Sequence, residues 1–100
     1  MKIWLDDIRP LPEGYNILAK SVNEAKQIIE ELEKEKKEIT EISLDHDLGD
    51  YVKDGGDGIC LMDWLVERGS LYNITFHTAN PVGRRNMERM KERFWKDVSI

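Results

Sequence analysis

Lys2-Ile3-Trp4-Leu5-Asp6-Asp7 is the stretch from which the fold follows. Its first four residues carry no alternation of charge, which reads as a strand covered on both faces, and the run stops abruptly at two aspartates. Carboxylates therefore stand at a strand's C-terminal end. The arrangement recurs: Ile39 to Leu44 is β-leaning and leads straight into Asp45-His46-Asp47-Leu48-Gly49-Asp50. A further strand, Ile74-Thr75-Phe76, ends at His77-Thr78-Ala79.

The intervening segments alternate in type. Pro10, Pro12 and Gly14 make a loop, after which Ile17-Leu18-Ala19 is long enough only for a minor peripheral strand. Ser21 and Glu24 form an S-x-x-E capping box that starts a helix, with Val22, Ala25, Ile28, Ile29 and Leu32 at helical spacing. Its charged end offers the pairs Glu30–Lys34 and Glu33–Lys37 on a solvated face. Ile59 to Arg68 reads as a second, more apolar helix closed by Gly69. Asn80 as N-cap and Pro81 at the first helical position open a third, with Met87, Met90 and Phe94 inward. Its other face carries Arg84, Arg85, Arg89, Lys91, Arg93 and Lys96. Lys53-Asp54-Gly55-Gly56-Asp57-Gly58 lacks the spacing and lysine of a phosphate-binding P-loop and is expected to be a flexible loop, able to act as a lid.

Strands separated by helices imply an α/β fold with a small open parallel sheet, here in expected order 2-1-3-4, and one domain over residues 1–100. Hydrophobic types at 40% and charged types at 35% suit a folded globular chain. A net charge of -5 disfavours a grip on extended duplex nucleic acid. The single Cys60 excludes an internal disulfide, and no apolar run of membrane-spanning length or secretion leader is evident, so the expected location is the cytoplasm, away from membranes. The sequence leaves the oligomeric state open.

Right-handed crossovers place every strand-to-helix loop on one edge of the sheet, where open α/β sheets bind ligands. Asp6, Asp7, Asp45, Asp47 and His77 are thereby gathered. Several carboxylates in one cleft repel unless a cation or proton intervenes, and an oxygen-rich set suits Mg2+ or Mn2+. Asp7 and Asp45 are the expected primary ligands, with Asp6 or Asp47 in an outer role; the plainer reading is that Asp6 or Asp7 caps a turn. His77 is the preferred catalytic acid or base, with His46 in the complementary role; either can also be a hydrogen-bonded scaffold residue. Val82, Gly83 and Arg84 are expected to offer free N–H groups to a phosphate at the third helix's start. Residues 81–96 carry net +4 against -9 elsewhere, and Arg84 and Arg9 are the basic groups closest to the edge motifs. Trp4, Trp64 and Trp95 read as packing.

Two resemblances follow from these blocks. Asp6-Asp7, Asp45 and Thr78-Ala79 resemble the acidic pocket and hydroxyl position of response-regulator receiver domains, although the lysine after a receiver's fifth strand has no evident counterpart in residues 95–100. Leu5-Asp6-Asp7-Ile8-Arg9-Pro10, Ser43 to Gly49, and His77 to Gly83 followed by Asn86-Met87 more closely resemble the receiver-like family of cyclic-phosphate processing. That resemblance implies a truncated receiver-like (flavodoxin-like) fold. It also implies metal-assisted hydrolysis of a cyclic phosphate, as a phosphodiesterase acting on a 2',3'-cyclic nucleotide or an RNA end. In that scheme Asp7 and Asp45 hold the ion, His77 and His46 move protons, Arg84 and Arg9 neutralise phosphoryl charge, and Asn80, Gly83 and Asn86 contact the ligand. The alternative is a signalling or phosphate-binding module with Asp45 as phosphoacceptor or metal ligand and no hydrolysis.

Overall fold

The computed structural model describes residues 1–95. β1 (Lys2–Leu5), β2 (Ile17–Ala19), β3 (Glu41–Leu44) and β4 (Ile74–Phe76) form an all-parallel sheet in order β2-β1-β3-β4. α1 (Val22–Lys34) joins β2 to β3, α2 (Gly58–Arg68) joins β3 to β4, and α3 (Pro81–Phe94) follows β4. The expected order 2-1-3-4 is the observed one, and Ile17–Ala19 is a genuine edge strand beside β1.

Both helical crossovers step across the sheet in the same direction, so right-handed connections put them on the same face. α1 packs on α2 and α2 on α3, giving one helical layer. Against it the strands turn Ile3, Leu5, Ile42, Leu44 and Ile74, all fully buried, toward Ala25, Ile29, Leu61, Leu65 and Met87. Removing such a side chain down to alanine costs about 2–5 kcal/mol. The opposite face presents Lys2, Trp4, Glu41, Ser43 and Thr75, and no described helix covers it. This corrects the expectation of a first strand covered on both faces: residues 6–16, which connect β1 to β2, form no helix. Trp4 deceived the pattern because a large aromatic shields a strand face by itself.

Local signals explain the helix boundaries. Ser21 Oγ accepts from Glu24 N at 3.0 Å, and Glu24 Oε1 accepts from Lys20 N, so the return bond of the capping box lands one residue early. Gly69 ends α2 in the left-handed region at φ 72°. The expected Glu33–Lys37 pair does not form, because α1 ends at Lys34 and Glu33 accepts instead from Arg68 and Tyr72. Nor is the glycine-rich loop a free lid. Gly49–Lys53 forms a 3-10 turn, and Asp54 accepts from Ser21 Oγ at 2.6 Å and Asn23 Nδ2 at 3.1 Å, fastening the loop to the start of α1. No described helix is long and apolar enough to cross a membrane. Lys96, counted with the basic face of α3, lies outside the described residues.

Candidate functional site

Asp6, Asp45 and His77 each follow the last residue of a strand, and their amides continue the parallel ladder. Asp6 N donates to Ala19 O, Asp45 N to Leu5 O and His77 N to Leu44 O, each at 3.0 Å. The sheet therefore fixes the starting points of these side chains, as the strand-exit reading requires. One oxygen from each of Asp6, Asp7 and Asp45 lies within 4.8 Å of the others. They share a cleft of about 350 Å3 with Ile8, Arg9, Asp47, Gly49, Thr78, Ala79 and Asn80.

The three carboxylates are not equivalent. Asp6, almost fully buried, accepts on Oδ1 from the Ile8 and Arg9 amides, both at 2.9 Å. Its Oδ2 faces Arg9 Nη1 at 2.9 Å and His77 Nε2 at 3.0 Å. Burial alone would raise its pKa; the Arg9 and Ile8 amides, the guanidinium and His77 hold it below the usual value. Asp7 is pushed up, first by burial and then by the charges of Asp6 and Asp45, against its own backbone and Arg9. Asp45 accepts from the His46 amide at 2.8 Å, and its Oδ2 stands 3.7 Å from Arg9 Nη1. Among Asp6, Asp7, Asp45 and Arg9, three carboxylates against one guanidinium leave a formal excess of two negative charges.

This donor set fits Mg2+ or Mn2+. The ligands are hard oxygens, Asp7 and Asp45 have oxygen positions unclaimed by donors, and the local charge matches a divalent ion. Space is kept by a glycine as well: Gly49, at φ 55°, lies where a Cβ would stand 2.5 Å from Asp7 Oδ2. Asp6, surrounded by four donors, is suited to an outer role. Asp47 belongs to a neighbouring cluster: its Oδ1 meets His46 Nδ1 at 2.7 Å, and both its oxygens accept from Asn80 Nδ2, at 3.2 and 3.1 Å. The His46 hydrogen bond is the main reason its pKa is lowered.

The two histidines are held differently. His77 has both ring nitrogens on protein partners, Nε2 on Asp6 and Nδ1 on Ser43 Oγ at 2.8 Å, and its ring stacks on Trp4 with centroids 3.6 Å apart. Burial pushes its pKa down despite the attraction of Asp6 and Asp45. His46 keeps Nε2 without a hydrogen-bond partner among the described residues, and its ring lies against Gly83, where a Cβ would come within 2.4 Å of it.

At α3 several expectations are corrected. The Val82 and Gly83 amides both donate to Asn80 Oδ1 at 3.0 Å, and the Arg84 amide to Asn80 O at 2.9 Å, so the helix start offers no free donors there for a phosphate. The strong N-cap that made the helix legible also consumes the amides. Arg84 turns its guanidinium to Glu88 at 3.2 Å and lines a separate groove along β4. Asn86 is exposed on α3; neither it nor Gly83 lines the cleft, and Gly83 leaves room for the His46 ring. Of the basic candidates only Arg9 reaches the carboxylates. Sequence reasoning overlooked Ser43, whose signal was a small hydroxyl inside an apolar strand, two positions before Asp45 and thus on the same strand face.

A parallel sheet that gathers acidic side chains after its first and third strands, with a buried threonine after its fourth, defines a receiver-like α/β domain. The chain belongs to the cyclic-phosphate processing Receiver domain family, whose model matches residues 1–93. Searches of curated proteins and of solved structures return no match.

Proposed function

We propose that this protein is a metal-dependent phosphodiesterase that opens a cyclic phosphate, of the 2',3'-cyclic nucleotide or RNA-end class. The observation that carries the reading is the excess of two negative charges among Asp6, Asp7, Asp45 and Arg9 in a cleft at the sheet's carboxyl edge. Membership in a family described by cyclic-phosphate processing supports the substrate class.

Asp7 and Asp45 would hold Mg2+ or Mn2+. When bound, such an ion supplies polarisation of a phosphoryl oxygen and a more acidic water. The reaction adds a water oxygen to phosphorus, breaks one ester P–O bond of the ring and returns a proton to the freed alkoxide, leaving a phosphomonoester. Arg9, held by Asp6 yet half-exposed, neutralises charge growing on the phosphoryl oxygens. Asn80 lines the cleft and orients Asp47. We assign proton exchange to the Asp47–His46 pair, which reaches the cleft through Asp47, supported by their 2.7 Å contact.

A second reading, a receiver-type module, is favoured by one observation: Asp45 and Thr78 line the same cleft, as a phosphoacceptor and hydroxyl would. The deciding experiment follows 31P NMR of a 2',3'-cyclic nucleotide with Mg2+ or Mn2+. Turnover by wild type that is lost in Asp45→Ala supports the phosphodiesterase. Absence of turnover over a panel of cyclic phosphates, with labelling of Asp45 by acetyl phosphate, overturns it in favour of the module.

A further inference from the structure

Ser43, His77 and Asp6 form a hydrogen-bonded string, with Ser43 Oγ to His77 Nδ1 at 2.8 Å and His77 Nε2 to Asp6 Oδ2 at 3.0 Å. A Ser–His–Asp string ordinarily means an activated nucleophile. Burial excludes that here: Ser43 is 2% exposed and Asp6 1%, and neither His77 nor Ser43 lines the cleft. No substrate reaches the hydroxyl.

The string instead ends on the group that holds Arg9. Asp6 Oδ2 receives His77 Nε2 and Arg9 Nη1 together, and the same Nη1 stands 3.3 Å from the His77 carbonyl and 3.7 Å from Asp45 Oδ2. A carboxylate only accepts, so Nε2 must carry the hydrogen, and in the neutral ring Nδ1 then accepts from Ser43. Trp4, stacked within 9° of parallel, prevents the ring from tilting out of this line. The partners come from the ends or interiors of β1, β3 and β4, so the string ties three strands to one carboxylate.

We infer that His77 is a positioning residue, fixed by Ser43 and Trp4, which orients Asp6 and through it Arg9 and the cation-binding pair. This rests on the reading of Asp7 and Asp45 as cation ligands. Only N–H donation is required of His77, not proton transfer. The distinction can be tested, because glutamine can present an N–H near the Nε2 position while alanine cannot.

The test combines Mn2+ titration by calorimetry with long-range 1H–15N NMR of the full chain at about pH 8, where an imidazole is largely neutral. Wild type should show His77 solely as the Nε2–H tautomer, and Ser43→Ala should broaden that signal by freeing the ring. His77→Ala should weaken Mn2+ binding on the order of 10-fold, as loss of an outer-sphere partner does, and His77→Gln should recover most of it. An Nδ1–H tautomer in wild type, an unchanged His77 signal in Ser43→Ala, or a glutamine variant as impaired as alanine would overturn the inference. A wild type that binds no Mn2+ while giving both NMR results would remove the cation reading and leave the positioning of Asp6 supported.

Discussion

The two ends of this sheet handle charge in opposite ways. Where α1 and α2 finish, Glu33 is met by Arg68 at 2.5 Å and by the Tyr72 hydroxyl. The Arg68 hydrogen bond, joined by Tyr72 against the effect of burial, lowers the Glu33 pKa; burial and Glu33 push Tyr72 up to about 12. At the carboxyl edge three carboxylates share one guanidinium, and Asp7 is pushed up rather than down. One end is charge-matched and serves the fold. The other leaves negative charge unmatched, at a cost that makes sense when a cation completes it.

The largest expected effect of breaking this contrast is at Asp7. Asp7→Asn should reduce Mn2+ affinity by more than the roughly 100-fold that outer partners contribute, measured by calorimetry. The same change should stabilise the metal-free protein by about 0.5–1 kcal/mol at neutral pH, raising Tm by a few degrees. The sign follows from the direction of the shift. Asp7 holds its proton more tightly folded than unfolded, so its contribution is favourable below its unfolded value of 3.8 and is lost as pH rises through the folded pKa.

Next in size is Gly58→Ala. A Cβ there would lie 1.9 Å from the Asp45 carbonyl oxygen, so α2 and the end of β3 must separate. Urea titration should show a loss of about 2–3 kcal/mol, with cation affinity falling as Asp45 moves. At the charge-matched end, Glu33→Gln should cost about 1 kcal/mol at neutral pH. Glu33 is depressed when folded, so its stabilisation is present above the unfolded value of 4.5 and is lost as pH falls through the folded pKa; the two proteins should converge in acid. Smallest is Gly69→Ala, which meets nothing within 4 Å and carries only the strain of φ 72°, about 1 kcal/mol or less.

Much of this was legible because strand and helix ends are written locally. Asp6-Asp7 and Asp45 stop apolar runs, Ser21 and Asn80 cap helices, and Gly69 closes one; topology rules then bring the acidic groups together. Illegible were the features that depend on which side chain reaches which. The pattern around His77 says that it leaves a strand, but not that Ser43 and Asp6 occupy both its nitrogens. Arg84 follows an edge motif closely, yet helical rotation and Glu88 turn it along β4 instead. The helix-free sheet face was hidden by Trp4, and the tethered loop by Asp54, whose partners lie in a distant helix start.

The central claim is most directly tested by titrating Mn2+ into wild type and Asp45→Ala and following the heat. Saturable one-site binding by wild type that disappears in a folded Asp45→Ala is the predicted result. A folded wild type indifferent to millimolar Mn2+ and Mg2+, or an Asp45→Ala protein that binds as well as wild type, would contradict it.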